Sequence, residues 1–375
     1  MTRTYHDFFS LFQERSEKED LWDLLKKDGR PIYIYGMGNG ADRLADRLQT
    51  LGLSESGYFA SDAFVRGQCF RGHRVQTFSS VLEKEKSFIA LLAFGSRLPN
   101  VIEGFHSVSA RVPFFIPDLP LVGNTYFDRS FLKEHVAELA EAAASLCDAA
   151  SRDLFCDLIL YKLRGELTVL MRAVNSNVPL FSLKEEETAV DLGAYTGDSI
   201  AQFRASYPGI KNYIAVEADA KNYRKLEEYA SNSLADGISI RAIHGAAGEK
   251  EGSVSFFSSG NRNSSRANPS HVAKTVCIPS VTVDRLAADQ NVGLIKFDVE
   301  GMEAEAILGC AETISRCRPV LKISVYHRSE DLHHLLLLCK SLYPHTQYYL
   351  RRNPCVPAWE ADLYVIPEER SISNA

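Results

Sequence analysis

The chain has 375 residues, which is enough for two domains that each bury a hydrophobic core. An apolar fraction of 45% and a charged fraction of 24% are typical of a soluble globular protein. The 42 basic and 48 acidic side chains give a net charge of −6 without a basic block, which argues against nucleic acid as the main partner.

Nothing in the chain predicts a membrane span or a disulfide framework. The N-terminal segment is polar and charged, and the longest apolar runs, 88–94 and 335–339, are too short to cross a bilayer. The eight cysteines are scattered without a Cys-x-x-Cys pair, which indicates buried free thiols in a reducing compartment. We therefore expect a cytoplasmic protein.

Residues 1–127 are predicted to form a small Rossmann-like domain. A helical lead-in precedes a buried strand, and the segment GMGNGA then opens a helix. Gly36, Gly38 and Ala41 occupy the small positions of a G-x-G-x-x-A loop, and Asp62 ends the next strand, where a ribose acid usually stands. A nucleotide or sugar nucleotide is therefore a candidate ligand, and a turn that binds nothing is the alternative.

The rest of the chain is predicted to be a helical connector, 128–178, followed by a second α/β domain, 179–375. In that domain, strands are predicted at 188–192, 213–217, 238–243, 293–299 and 319–326. Helices are predicted between most of them, at 199–207, 220–231, 302–315 and 330–342. Such alternation indicates a parallel sheet with helices on both faces. The last two strands, 346–351 and 362–366, are separated only by a turn and should pair as an antiparallel hairpin.

A glycine loop, VDLGAYTGDS, follows the first strand of this second domain. Asp191 stands near the strand end, Gly193 and Gly197 allow a close backbone approach, and a helix opens at Ser199. Glu217 ends the next strand about 20 residues on, the usual place of an acid that binds ribose hydroxyls. The sequence therefore predicts an adenosyl-binding site.

A second polar group lies where two later strands end. In IKFDVEGME, alternation places Lys296, Asp298 and Glu300 on one face, and His327 ends the strand after that. His327 and Asp298 are both candidate bases, with Asp298 alternatively orienting a substrate hydroxyl. The oxygen and imidazole groups of Asp298, Glu300 and His327 suit a divalent metal, but their spacing is not that of a metal motif, so we expect no metal. Glu303 is predicted to be an acid at a helix N-terminus.

These motifs together carry a family resemblance. The order of VDLGAYTGDS, YIAVEADAKNYRKL, VTVDRL, IKFDVEGMEAEAILG and RPVLKISVYHRSEDL, closed by the hairpin, resembles the FkbM family of class I S-adenosylmethionine-dependent methyltransferases over residues 180–367. The resemblance implies a seven-stranded Rossmann-like sheet with an antiparallel last strand. It also implies S-adenosyl-L-methionine as cofactor and O-methylation of a sugar, polysaccharide or natural-product hydroxyl. One departure is Ala218-Asp219, where the family pattern continues as Phe-Glu-Pro.

The resemblance also implies roles for individual residues. It assigns Asp191, Gly193, Tyr195 and Gly197 to the cofactor loop, Glu217 to the ribose acid, and Asp298 and Glu300 to the acids of the fourth strand. The predicted cofactor site comprises Asp191, Gly193, Tyr195, Thr196, Gly197, Asp198, Ser199, Glu217, Ala218 and Asp298. The predicted catalytic residues are Asp298 and Glu300 together with the candidate base His327. The polar segment 258–270 is either a surface loop or, following the family, a lid that brings Ser264 and Ser265 near the ligand.

Two other functions compete with this interpretation. One is a nicotinamide-dependent sugar-nucleotide oxidoreductase or epimerase, but its Tyr-x-x-x-Lys pair would be Tyr207 and Lys211, and the intervening Pro-Gly prevents the helix that would align them. The other is a non-catalytic nucleotide-binding module. His333 and His334 lie on a predicted helix and are expected to be solvated.

Overall fold

The computed structural model of the protein describes residues 3–175, 179–258 and 274–372. Its strands, numbered in chain order, are β1 Ile32–Tyr35, β2 Gly57–Ala60, β3 Cys69–Phe70, β4 His73–Arg74, β5 Gln76–Thr77, β6 Ile89–Leu92, β7 Phe114–Phe115, β8 Thr188–Leu192, β9 Asn212–Glu217, β10 Ser239–His244, β11 Ala246–Ala247, β12 Gly252–Ser258, β13 Lys274–Val281, β14 Val292–Phe297, β15 Val320–Ser324, β16 Thr346–Arg352 and β17 Ala361–Pro367.

The α-helices are numbered in the same way. They are α1 Tyr5–Ser16, α2 Leu21–Lys27, α3 Asn39–Thr50, α4 Phe78–Lys84, α5 Pro99–Ser109, α6 Arg129–Glu134, α7 Val136–Ser145, α8 Ala149–Arg164, α9 Leu167–Arg172, α10 Asp198–Ser206, α11 Ala220–Ser233, α12 Val283–Leu286, α13 Glu303–Leu308, α14 Ala311–Cys317 and α15 Asp331–Leu342.

The N-terminal half is built on a five-stranded sheet in the order β5-β2-β1-β6-β7. Each of its strand pairs is parallel. Every residue of β1 and β6 is buried, as expected for strands covered on both faces by helices. The predicted Rossmann-like fold of this half is confirmed.

The C-terminal half is built on a seven-stranded sheet in the order β10-β9-β8-β14-β15-β17-β16. The strands from β10 to β15 in this order run parallel, and β17 is antiparallel to both of its neighbours. This is the predicted class I methyltransferase sheet with an antiparallel last strand. The chain leaves β8 toward β9 on one side and reaches β14 on the other, so a ligand crevice is expected where the order reverses.

Two features of this half differ from the prediction. A three-stranded sheet of β11, β13 and β12 was not predicted; it lies outside the alternation of strands and helices that the sequence indicates. The predicted helix 302–315 is two helices, α13 and α14. The second one starts separately because the Asp284 carboxylate accepts hydrogen bonds from the backbone N–H groups of Glu312 and Thr313.

Helices α6 to α9 occupy the segment predicted as a connector and pack against the edge strand β16. The Cys147 N–H donates to the Tyr348 carbonyl at 2.9 Å, and the Leu350 N–H donates to the Ser151 hydroxyl at 2.9 Å. The buried Arg352 guanidinium donates to the carbonyls of Leu170 and Ala173. One continuous hydrophobic core runs through both halves. The division at residues 127 and 178 stays a prediction.

Across residues 3–175, 179–258 and 274–372, no helix combines the length and apolar character needed to cross a bilayer. All eight cysteines are free thiols, as predicted. The prediction that they are buried was wrong for Cys69, Cys147 and Cys277. Cys69 lies in the exposed hairpin of β3 and β4 and Cys277 in the small sheet, two features that the apolar pattern did not predict.

Candidate functional site

A cavity of about 250 Å³ opens at the carboxyl ends of β8, β9, β14 and β15. Its position is the one where open α/β sheets bind ligands. Most of the predicted site residues line it: Gly193, Tyr195, Asp198, Ser199, Glu217, Ala218, Asp298, Glu300 and His327. The other predicted residues, Asp191, Thr196 and Gly197, lie outside the lining. The fold therefore gathers the loop after β8 and the polar ends of later strands around one space.

The loop after β8 is pressed against the end of β14. The Asp298 N–H donates to the Leu192 carbonyl at 3.0 Å, and a Cβ added to Gly193 would lie 1.9 Å from the Asp298 carbonyl oxygen. Gly193 also has a φ of +77°, a conformation that side chains disfavour. Tyr195 and Glu300 have positive φ values of 51° and 55°. Such strained residues cluster at functional sites, and both of these line the cavity.

Glu217, predicted to bind ribose, ends β9 at the cavity wall. Its carboxylate accepts hydrogen bonds from the backbone N–H groups of Tyr195 at 2.8 Å and Asp219 at 2.7 Å. Burial raises the pKa of Glu217 to about 7, against the lowering effect of those two hydrogen bonds. Asp219 caps α11 with its side chain, and Ala218 lines the cavity.

Lys296 carries a positive charge between two carboxylates at the cavity wall. Its Nζ lies 3.2 Å from Asp191 Oδ1 and 3.4 Å from Asp298 Oδ2, and it donates to the Gly193 carbonyl. Asp191 is fully buried, and its Oδ2 has no hydrogen-bond partner among the described residues. Burial raises the pKa of Asp191. Burial also tends to raise that of Asp298, but the charges of Lys296 and His327 hold it below its usual value.

His327 is surrounded by carboxylates. Its Nε2 lies 3.6 Å from Asp298 Oδ1 and 3.7 Å from Glu300 Oε2, and its Nδ1 lies 3.0 Å from Glu303 Oε1. Glu303 is 1% exposed and accepts a hydrogen bond from the Val299 N–H. Glu303 is therefore a partner of His327 in addition to being an acid at a helix start. The sequence showed only the helix start, because the pairing depends on the meeting of two distant segments.

The pKa values decide which group can take a proton. Burial alone would lower the pKa of His327, but the surrounding carboxylates, Glu303 foremost, raise it to about 10. Burial raises the pKa of Glu300 to about 8. Near neutral pH, His327 therefore carries its proton and Glu300 is largely neutral, whereas Asp298 is ionised and free to accept one.

The N-terminal half contributes to this site, which the sequence did not predict. Leu121 and Arg97 line the cavity, and the N–H groups of Leu121 and Val122 donate to the His327 carbonyl at 2.9 and 3.0 Å. Arg97 Nη1 lies 3.5 Å from Glu360 Oε1. No local motif identifies such residues, because they approach the site only through the packing of the two halves.

The second predicted nucleotide loop has a local structural explanation. A Cβ on Gly36 would lie 2.6 Å from the Phe94 ring, so packing alone requires a glycine there. The Asp62 carboxylate accepts hydrogen bonds from the Phe78 N–H at 3.2 Å and the Ser79 hydroxyl at 2.9 Å. Nucleotide binding at Gly36, Gly38, Ala41 and Asp62 stays a prediction. Ser264 and Ser265 lie outside the described residues.

The sequence spacing of the acids and the histidine at the cavity matches no metal-binding motif. Among the described residues, Glu303, His327 and Asp331 bring ligand atoms within 4.8 Å of one another. However, a Glu303 oxygen already accepts from the Val299 N–H, and an Asp331 oxygen accepts from the Arg328 N–H. Both carboxylates are engaged in the fold, and Glu303 is also engaged in the ion pair with His327.

Part of the second half of the chain matches a known protein-family model. Residues 191–343 match the family model of the methyltransferase FkbM domain. A crystal structure of methyltransferase FkbM from Methylobacillus flagellatus KT is similar in fold, with a TM-score of 0.70 and 19% identity over 96% of this chain and 99% of that one. Its fold therefore resembles this chain across both halves.

More distant structures match about half of the chain. An rRNA methylase from Streptococcus thermophilus covers 49% of this chain and 89% of its own, with 12% identity and a TM-score of 0.32. A precorrin-6y C5,15-methyltransferase from Geobacter metallireducens GS-15 covers 49% and 80%, with 11% identity and a TM-score of 0.29. No protein with a curated function matches the sequence.

Proposed function

We propose that this protein transfers a methyl group from S-adenosyl-L-methionine to a hydroxyl of a sugar, polysaccharide or natural product, because residues 191–343 match the family model of the methyltransferase FkbM domain. The observation that carries the proposal is the single cavity that joins the glycine loop after β8, the acid Glu217 and the cluster of Asp298, Glu300 and His327.

The residues around the cavity suit an adenosyl ligand. Glu217 presents a buried carboxylate to the cavity, and each of its oxygens has a second lone pair beyond the hydrogen bond it accepts from the backbone. Gly193 has no side chain at the point where the loop contacts the end of β14. Bound S-adenosyl-L-methionine supplies an electrophilic methyl group on a sulfonium. Six of the predicted residues line the cavity and would bind and orient it: Gly193, Tyr195, Asp198, Ser199, Glu217 and Ala218.

Transfer to a hydroxyl requires that the hydroxyl lose a proton, and Asp298 is the group best prepared to accept it. Its carboxylate lines the cavity and is ionised near neutral pH, because Lys296 and His327 stabilise the charge. The imidazolium of His327 would then hold Asp298 and Glu300 in place. His327 can itself act as the base only after it loses the proton that its neighbours stabilise.

The pH dependence of turnover separates these two roles. With Asp298 as base, activity is already at its plateau at neutral pH. With His327 as base, activity keeps rising until the pH approaches about 10. Asp298→Asn should abolish turnover and leave S-adenosylhomocysteine binding measurable. A D298N variant with near-normal turnover would remove Asp298 from proton transfer.

The cofactor is tested without knowing the acceptor. The melting temperature is followed while the protein is titrated with S-adenosylhomocysteine and, separately, with NAD, since only a ligand of the native state stabilises. Stabilisation by S-adenosylhomocysteine alone is expected. Stabilisation by NAD alone would favour the nicotinamide-dependent alternative, and stabilisation by neither would favour a binding module of another kind.

The acceptor would enter beside residues of both halves. Arg97, half-exposed at the cavity wall, is placed to contact it. Acceptor fractions incubated with S-adenosyl-L-methionine labelled in the methyl group would identify the methylated compound. Arg97→Ala should raise the KM for that compound and leave S-adenosylhomocysteine affinity unchanged. Arg111→Ala, an exposed arginine outside the cavity lining, is the control and should change neither.

A further inference from the structure

Two histidines and a glutamate meet away from the cavity, between the helices that precede the second sheet and the sheet's own helix α15. His135 and Glu138 lie at the start of α7, and His333 lies on α15. One ring nitrogen of each histidine and one oxygen of Glu138 all lie within 4.8 Å of one another. We propose that this cluster is a zinc-binding site.

The ligand types suit this metal. Zinc binds imidazole nitrogen and carboxylate oxygen, and two histidines with one glutamate are an established ligand set that leaves a fourth position for water. Zn–N and Zn–O distances are about 2.0–2.2 Å, so neighbouring ligand atoms of a tetrahedral site lie roughly 3.4 Å apart. The three ligand atoms lie within 4.8 Å of one another, so side-chain rotations must bring them to this spacing when zinc binds.

His333 provides the independent observation. It is 4% exposed, and its Nδ1 has no hydrogen-bond partner among the described residues. Its ring stands against those of Phe131 and His135, with centroids 6.0 and 5.2 Å away. Buried polar atoms are normally satisfied, so an unpaired nitrogen on a ring that stands against another histidine requires an explanation. The prediction that His333 is solvated was wrong, because helices of the predicted connector cover it.

The other two residues of the cluster, His135 and Glu138, already contact each other. His135 Nδ1 lies 2.7 Å from Glu138 Oε2, three residues along one helix face.

A metal here would tie two parts of the chain together. Helix α7 belongs to the predicted connector, whereas α15 follows the segment that carries His327. Zinc bound to both helices would hold α15 against the connector without contributing a group to methyl transfer. The site is therefore expected to affect stability and to leave the chemistry of the cavity alone.

The test uses the full chain treated with EDTA, dialysed and titrated with Zn²⁺ alone. Calorimetry is expected to show one equivalent bound, with a rise in melting temperature, and anomalous diffraction at the zinc edge should place the ion between α7 and α15. His135→Ala and Glu138→Gln should each weaken zinc binding at least about tenfold, since even outer-shell changes cost about 10–100-fold. Both residues are partly exposed, so these variants are expected to fold.

His334→Ala is the matched control, because His334 is exposed on the same helix and outside the cluster. It should bind zinc as the wild type does. Binding that is lost equally in H334A, an ion found elsewhere in the anomalous map, or no binding to the wild type at micromolar zinc would each overturn the proposal.

Discussion

Among the described residues, Lys296 is the only cation that forms ion pairs with both Asp191 and Asp298. Replacing it by methionine would remove that positive charge. The ammonium lies 3.2 and 3.4 Å from the nearest oxygens of these carboxylates. Lys296 is 5% exposed and Asp191 is fully buried, so water cannot replace the lost partner. Methionine keeps the length and most of the volume of the side chain, which isolates the effect of the charge.

The magnitude follows from these distances. At an effective dielectric constant of about 20, each pair contributes about 5 kcal/mol of Coulomb attraction. Much of this is offset by the cost of burying the ions, and removing one partner of a buried pair costs about 3–5 kcal/mol. We expect Lys296→Met to lower the free energy of unfolding by about 3–5 kcal/mol.

The loss should depend on pH in a defined direction. Burial already raises the pKa of Asp191 above its ordinary value of 3.8, and without Lys296 the charge that opposes this rise is lost. A carboxyl whose folded-state pKa exceeds its unfolded-state pKa takes up a proton on folding, so stability falls as the pH rises between the two values. The deficit of K296M relative to the wild type should therefore grow as the pH rises above the ordinary carboxyl pKa of 3.8.

Urea unfolding followed by circular dichroism at several pH values measures the free energy of unfolding of K296M and of the wild type. The matched control is Lys340→Met, which breaks an exposed pair with Glu141 at 3.1 Å and should cost at most about 1 kcal/mol. Equal losses in the two variants, or a K296M deficit that shrinks with rising pH, would refute the reasoning.

Three further predictions concern the cavity. Gly193→Ala should lower the melting temperature measured by calorimetry more than Gly237→Ala does. Both glycines have positive φ, but a Cβ added to Gly193 would lie 1.9 Å from the Asp298 carbonyl oxygen, whereas a Cβ added to Gly237 would meet nothing within 4 Å. Equal shifts would contradict this. Glu217→Gln should weaken S-adenosylhomocysteine binding about 10- to 150-fold by calorimetry, because hydrogen bonds to a charged group contribute about 1.5–3 kcal/mol. An unchanged affinity would exclude Glu217 from the ligand site. Burial raises the pKa of Glu300 to about 8, above its ordinary 4.5, so this group's contribution to stability falls as the pH rises between these values. Glu300→Gln should flatten the loss of stability between about pH 5 and pH 8, and urea midpoints that run parallel to the wild type would contradict it.

Much of the fold followed from the sequence because strand and helix patterns are local. The alternation of apolar strands and helices predicted the parallel sheet, and the short turn between the last two strands predicted the antiparallel β17. The location of the site followed from the same logic, since polar residues at the carboxyl ends of parallel strands converge. Gly193, Glu217, Asp298 and His327 accordingly line one cavity.

The parts that the sequence did not predict depend on contacts between distant segments. Glu303 looked like an ordinary acid at a helix start until the fold placed it beside His327. Arg97 and Leu121 reach the cavity from the other half of the chain, and no local pattern relates them to it. Burial of His333 likewise results from helices whose packing partners are not encoded in its own periodicity.

The position of β17 in the sheet affects how the protein is made. β17 lies between β15 and β16, and within the sheet β16 is hydrogen-bonded to β17 alone among the described strands. During synthesis, β16 therefore leaves the ribosome before β17, the strand that joins it to the sheet. The edge of β15 stays unpaired until residues 361–367 emerge. An unpaired strand edge invites association with other chains. A premature stop codon shortly before residue 361 should consequently give aggregated protein rather than a slightly weakened enzyme.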